Sequence, residues 1–532
     1  MSGERESAHL RAASRARDLG DWREASDQYL AAARAATGEQ ADQHTLRAAE
    51  CLTHAGALGP AWRLLRALLE QHGVQVPSSA TQALVGSTWR RGRFVLRRPD
   101  LDAEGPASPA DERRRLVLEG AAELLGPVHT ALADALRTHH LAEAARSGDP
   151  SARCRAIASE VAMQTRIGGP FDKTVKKLLE RCAELAGETG EPRDEAWRLL
   201  AVATHEFAHG RWRACVDACE AADAIFVELA DEGVAVGSER TRIAAIHWFA
   251  LAWLGELPRL QTILERAQAQ AEADKDSLTL LEVLTGQPFL VWLAHAEGEA
   301  ARTRARQLLR HHEAVPGAPW PESGYRRQHY RDLVAEVHAR LFAGDPLPAW
   351  IALTRHWREL ESTFYLPMRT IGIELRSARG RAALAVVEQL DRAPERTQAL
   401  LDEGGFAGWG GWDRERLLAD VDTQIEQISK ESSCVAAPLA NLLAAGLANL
   451  RRRGDEAQVR LDAAVRGFDA VGMALHRECA RLALGEVIAG HEGGQLQDRA
   501  DAWLREVGVA DTRRFAGSQA PGFSLCLPGT NR

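Results

Sequence analysis

The sequence predicts an all-α chain, folded as a solenoid of antiparallel helical hairpins. Three observations predict it: nearly continuous helical periodicity, the near absence of strand signals, and glycines that recur at about the length of one hairpin. Between Arg213 and Leu229, residues Cys215, Ala218, Cys219, Ala222, Ile225, Phe226 and Leu229 fall at three- and four-residue steps. Such a stripe lies along one helix face and needs a partner surface. Alternating runs of Val, Ile and Thr are missing, and no Asn-Gly or Asp-Gly hairpin turn occurs. Gly169, Gly210, Gly255, Gly298 and Gly344 follow one another at spacings of 41, 45, 43 and 46 residues. Each stands where one apolar periodic stretch ends and the next begins. Glycine suits that place because it adopts the left-handed conformation that closes a helix and lets the chain fold back.

The same theme extends to both ends, at Gly20, Gly59, Gly454 and Gly494. Trp22, Trp62, Trp212 and Trp350 follow shortly after such turns and are expected to wedge between paired helices. A period near 43 exceeds the roughly 34 of the tetratricopeptide (TPR) repeat, but the helix-turn-helix logic is shared. A hairpin cannot bury its apolar face alone, whereas stacked hairpins can, so a TPR-like superhelix of roughly twelve hairpins is expected.

Three segments break the rhythm and set the expected boundaries. Residues 1–98 read as N-terminal hairpins. Residues 99–112 read as an exposed linker within Arg90 to Arg115, whose middle is rich in Pro, Gly and Ser between two basic clusters. Residues 113–400 read as the central array and 401–412 as a Gly-aromatic loop, LDEGGFAGWGGW. Residues 413–510 read as C-terminal hairpins and 511–532 as a weakly periodic tail. In the linker, Arg97, Arg98, Arg113, Arg114 and Arg115 are expected to form an exposed segment that a protease or a partner could reach.

The chain has 532 residues, 45% hydrophobic and 26% charged, with a formal net charge of -8. These values exclude a disordered, collagenous or membrane-embedded chain as a whole. Five lysines against 61 arginines is the usage of a GC-rich bacterial genome. Eight scattered cysteines do not make a disulfide scaffold. The N-terminal MSGERESAHLRAAS lacks the apolar core of a secretory signal, so a cytoplasmic location is expected. Cys434 to Leu450 is the one stretch with membrane character. It is short and carries Pro438, Asn441, Gly446 and Asn449, which favour a buried helix, so no membrane partner is expected.

The sharpest chemical motif is HEFAH, His205 to His209. His-Glu-x-x-His on a helix sets two imidazoles on one face for zinc, with the glutamate as general base of a metallopeptidase. Here the motif runs into Gly210, at a helix end, and no strand stands ready to hold a peptide. A second arrangement would add Cys215 and Cys219 to His205 and His209 as a four-ligand zinc site, but both cysteines belong to the apolar stripe. The expectation is a structural helix end, with no metal and no cofactor. A zinc metallopeptidase using His205, Glu206 and His209 is the alternative. No lysine follows a glycine, so no phosphate-binding P-loop is present. Protein-kinase signatures and a Gly-x-Ser-x-Gly elbow are also missing. His139-His140 and His311-His312 are expected near helix C-termini, where they would complement the dipole. The arginine clusters at Arg90–Arg98, Arg113–Arg115 and Arg451–Arg453 read as solvated faces or contacts to an acidic partner. The acidic balance and the lack of a reading module argue against nucleic acid.

Several strings carry a family resemblance, among them RAAECLTHAGALGPAWRLLRALLEQHGVQVP, STWRRGRFVLRRPDL, HGRWRACVDACEAADAIFVE, HYRDLVAEVHARLFAGDPLPAWIALTRHW and RRFAGSQAPGF. On them the chain resembles the C-terminal TPR-like region of large bacterial serine/threonine protein kinases that also carry an ATPase module. Kinase and ATPase domains are absent from this sequence, so the family's catalytic residues have no counterpart here. The resemblance implies the sensing or docking half: a non-catalytic scaffold or regulatory subunit that binds a protein or peptide. It also implies a setting in kinase signalling or in a CRISPR-associated defence system with a caspase-like protease, with a kinase-like or protease partner.

Overall fold

The structure, a computed structural model, describes residues 2–97, 108–234, 236–311, 320–322, 324–363, 365–403 and 411–525. Among these residues there are α-helices and one 3-10 turn, and no strand. The N-terminal helices are α1 (Ser2–Asp18), α2 (Trp22–Ala35), α3 (Glu39–His54), α4 (Leu58–Gln71) and α5 (Ala80–Arg97). Next come α6 (Pro109–Leu125), α7 (Thr130–Ala144), α8 (Pro150–Ile167), α9 (Asp172–Thr189), α10 (Pro192–His209) and α11 (Trp212–Asp231). The middle holds α12 (Gly237–Leu254), α13 (Leu257–Ala273), α14 (Ser277–Leu284), α15 (Phe289–Ala294), α16 (Gly298–His311), α17 (Arg327–Ala343) and α18 (Pro346–Ser362). The C-terminal part is α19 (Arg369–Arg392), α20 (Pro394–Glu403), α21 (Arg414–Ser429), α22 (Ala436–Leu450), α23 (Gly454–Ala470), α24 (Ala474–Ile488), α25 (Gly490–Glu506) and α26 (Thr512–Gln519).

Most helices pack against their neighbours in sequence, as α1 with α2, α10 with α11 and α22 with α23 do. The stripe of Cys215, Ala218, Cys219, Ala222, Phe226 and Leu229 is the buried face of α11. Trp212, the first residue of that helix, is fully buried and meets Phe207, Phe249 and Trp253 with ring centroids 5.1–6.0 Å apart. It fills the angle between α10, α11 and α12. Trp350 is equally buried on α18. Helix starts follow the local chemistry. Ser108, Asp149 and Asp413 accept the backbone N–H three residues on, which satisfies a donor the helix leaves open.

Gly210, Gly255 and Gly344 close α10, α12 and α17 in the left-handed conformation. Gly169 does lie in the turn between α8 and α9, with φ +64°, and shares it with Gly168, which caps α8. Other turn glycines lie off the expected position. Gly298 and Gly454 are the first residues of α16 and α23, and the positive φ falls on Ala296 and Arg452. Gly59 and Gly494 lie inside helices, while Gly56 and Gly490 take the turns.

Sequence-distant helices also meet: α3 with α6 and α14, α10 with α19, α12 with α24, and α17 with α26. One core runs from Leu141 to Leu525, with separate clusters among α1–α3, among α3, α4, α6 and α7, and between α5 and α7. The expected tail is thus not peripheral throughout. Phe515, Ala516, Ala520 and Phe523 belong to the main core, and the Asn449 amide donates to the Gly522 carbonyl at 2.6 Å. The expected linker is shorter at its end, because α6 already begins at Pro109. Residues 98–107, with Arg98, and residues 404–410 of the Gly-aromatic loop lie outside the described residues. Cys434 to Leu450 forms mainly α22, packed in the core, and no helix among the described residues is long and apolar enough to cross a membrane.

Candidate functional site

HEFAH forms the last turn of α10, and the next residue, Gly210, leaves the helix with φ +76°. Four-residue spacing does bring the imidazoles together, with ring centroids 4.3 Å apart. The ring nitrogens of His209 are used within the fold, whereas His205 Nδ1 is buried without a hydrogen-bond partner. His209 Nδ1 bonds the His205 carbonyl at 2.8 Å, which fixes that nitrogen as the donor and Nε2 as the acceptor. Arg369 Nη1 donates to this Nε2 at 3.0 Å, and Arg369 Nη2 binds Asp172 at 3.0 Å. A guanidinium therefore stands on the lone pair that a metal would need. The Glu206 carboxylate is taken by Arg211. Burial pushes His205 down to about 4, and the neighbouring His209 adds to it. Burial, with Arg369, also lowers His209. Cys215 and Cys219 point into the core and are fully buried. Among the described residues no group of three or more His, Cys, Asp or Glu side chains is placed to hold a metal ion. What the motif does is join helices: the His209 carbonyl also accepts the Cys434 N–H at 3.1 Å and its Sγ–H at 3.0 Å.

Arg113, Arg114 and Arg115, expected in an exposed segment, lie at the start of α6. All three are half-buried on α6 and pair with Asp42 at 2.7 Å, Glu143 at 3.5 Å and Asp149 at 2.8 Å. Arg97 ends α5, and its side chain and Arg98 lie outside the described residues. Arg91, expected on a solvated face, is buried and holds Asp134 at 2.5 Å and Glu160 at 2.6 Å. His139 and His140 sit inside α7 rather than at its end, and His140 is buried.

The structure shows a site that the motifs did not announce. The N-terminal helices come back against the turn between α13 and α14. Trp22 Nε1 donates to the Asp274 carbonyl at 2.5 Å and its ring stacks on His54 at 4.9 Å. His54 pairs with Asp276 at 2.9 Å, and Ser277 Oγ donates to the His54 carbonyl at 2.9 Å. Gly20 has φ +65°, and a Cβ there would lie 2.6 Å from the Asp274 carbonyl oxygen, so only glycine permits this approach. Between α1–α3 and α11–α13 lies a cleft of about 730 Å³, lined among others by Cys51, Cys219, Ile243, Trp248 and Glu282. A second hollow of about 410 Å³ lies between α3, α6 and α12, and Glu50 and Gly237 line both. No protein-family model matches the chain, and no curated protein matches it.

The walls of the second hollow are ion-paired. Glu119 binds Arg155 at 2.8 Å, Glu123 binds Arg242 at 3.0 Å, and Glu239 binds Arg193 at 2.8 Å. Burial resists the charge on Glu119, but Arg155 and His140 outweigh it and hold the group at about 2. A carboxylate held ionised by fixed guanidiniums is suited to recognition rather than to proton transfer near neutral pH. Of the cleft residues, sequence reasoning marked Trp22 as a wedge after a turn glycine. His54, Trp248 and Glu282 carry no local signal that separates them from ordinary helix positions.

Proposed function

We propose that this chain is a non-catalytic binding module, a regulatory or sensor subunit that takes a protein or peptide partner into the cleft between its N-terminal hairpins and α11–α13. In this reading the hairpins form a solenoid wound back on itself, and the module acts in the cytoplasm. The observation that carries it is the cleft: about 730 Å³, walled by faces of α1, α3, α11, α12 and α13 and continued past α3 by the second hollow. Helical arrays bind partners along such concave faces because each hairpin adds one strip of side chains. A kinase-like or protease component is the partner class that the resemblance implies. The zinc peptidase reading is disfavoured by Arg369, which donates to His209 Nε2.

A photo-crosslinking residue tests this. Placed at Gln270 on the cleft wall, it is expected to capture one protein in host cells. Placed at Val459, 65% exposed on α23, it is expected to capture none. Equal capture from both positions would refute cleft docking.

A further inference from the structure

We propose that four arginines, Arg137 of α7, Arg166 of α8, Arg242 of α12 and Arg327 of α17, form a binding site for a phosphate group inside the helical array. This site is separate from the cleft and stands whether or not a protein docks there.

Arg166 is the decisive group. It lies on the last turn of α8, deep in the molecule, yet keeps part of its surface accessible. Its guanidinium makes no hydrogen bond and no ion pair among the described residues. Burial pushes it well below its ordinary value, the nearby Arg242, Arg137 and Arg327 add to this, and Glu123 works the other way. A guanidinium does not give up its proton in a protein, so the charge stays and is left uncompensated by the fold.

The two carboxylates within the cluster are already committed. Glu123 binds Arg242 at 3.0 Å and Arg137 at 3.3 Å, and Glu282 binds Arg327 at 3.2 Å and Arg331 at 3.3 Å. With Arg166, five guanidiniums face two carboxylates, an excess of three positive charges. Further out, Glu119 and Glu239 have Arg155 and Arg193 of their own, and burial pushes Glu374, near Arg331, up to about 7. The pairs also leave donors over. Arg242 spends only Nη1 on Glu123, and Arg327 spends only Nη2 on Glu282, so their other N–H groups join those of Arg166. The Arg327 side chain is 23% accessible, so water reaches the cluster. An excess above one charge, with planar N–H forks from several helices, suits a dianionic phosphate group better than a halide or a single carboxylate. A cation would meet repulsion, and a neutral ligand would leave Arg166 uncompensated.

Calorimetry on the full chain, dialysed into chloride buffer, tests the proposal with inorganic phosphate and with glycerol phosphate. Saturable binding of at least one is expected. Tighter binding of the ester identifies a phosphorylated small molecule as the ligand class, and tighter binding of inorganic phosphate identifies the free anion. Arg166→Met is expected to weaken binding by at least about tenfold. Without phosphate the same variant is expected to melt above the wild-type chain, because it removes an uncompensated buried charge. An arginine with a purely structural role would shift melting the other way. Arg166→Lys is the second variant, and it is expected to weaken binding too, because lysine keeps the charge and loses the fork. Arg304→Met, at an exposed position of α16, is expected to bind as the wild-type chain does. No saturable binding of either compound by the wild-type chain, undiminished binding by folded Arg166→Met or Arg166→Lys, an equal loss in Arg304→Met, or a lower melting temperature of phosphate-free Arg166→Met would each overturn the proposal.

Discussion

His209 has both ring nitrogens in hydrogen bonds, one to its own helix and one from Arg369. Zinc would have to displace a guanidinium that is itself anchored on Asp172. Elemental mass spectrometry of the purified chain is therefore expected to find well below one equivalent of zinc. One equivalent that disappears on His205→Ala would contradict the assignment. Arg369 lies 160 residues from His209, so nothing near HEFAH could reveal it. The same distance effect hid Arg91, whose partners Asp134 and Glu160 are 43 and 69 residues away. In sequence Arg91 is one arginine in a basic run, but in the fold it neutralises two carboxylates that are each 1% exposed. Arg91→Ala is expected to cost about 3–5 kcal/mol in urea denaturation, because it leaves buried charge uncompensated. A loss below about 1 kcal/mol would place the arginine in the solvated role that the run first implied.

At the scale of elements, helices and their faces were readable because 3.6-residue periodicity is local, as in α11. Turns were readable only in part. A glycine signals that the chain can turn nearby, not which residue takes the left-handed conformation. At the end of α10 that residue is Gly210, and a Cβ there would lie 2.7 Å from Val435 Cγ1 and 3.0 Å from Ser433 Oγ. Before α16 it is the exposed Ala296, with φ +63°, while Gly298 sits two residues later. The two sites are expected to respond with opposite sign. Gly210→Ala should destabilise by about 2 kcal/mol or more, from the left-handed penalty and the close approach together. Ala296→Gly should be neutral or stabilising by up to about 1 kcal/mol, since relief of the same penalty outweighs the added chain entropy. Thermal melting of the two variants checks the pair, and destabilisation by both would show that Ala296 is not strained.

Across the whole molecule, long-range closure is what the sequence could not show. Hairpin periodicity describes how neighbours stack. It does not say that residues near 20 and 54 return to residues 274–277. That closure forms the cleft, and one titrating pair helps to hold it. Burial works against a charged His54, but Asp276 overrides it and raises the histidine above its ordinary 6.5, with Glu50 adding to the rise and Arg17 opposing it. Burial likewise opposes a charged Asp276, and His54 lowers it below the ordinary 3.8. The pair's contribution is thus complete between those two ordinary values. It is lost as pH rises through the folded histidine value, or falls through the folded aspartate value. Hydrogen exchange in α2 and α3 is therefore expected to quicken from about pH 6 to about pH 9, beyond the intrinsic pH effect, while α22 and α24 stay protected. His54→Gln removes the titrating group and should flatten that dependence. If the variant keeps it, a group other than His54 drives the opening, and the His54–Asp276 pair does not set the pH dependence of the closure.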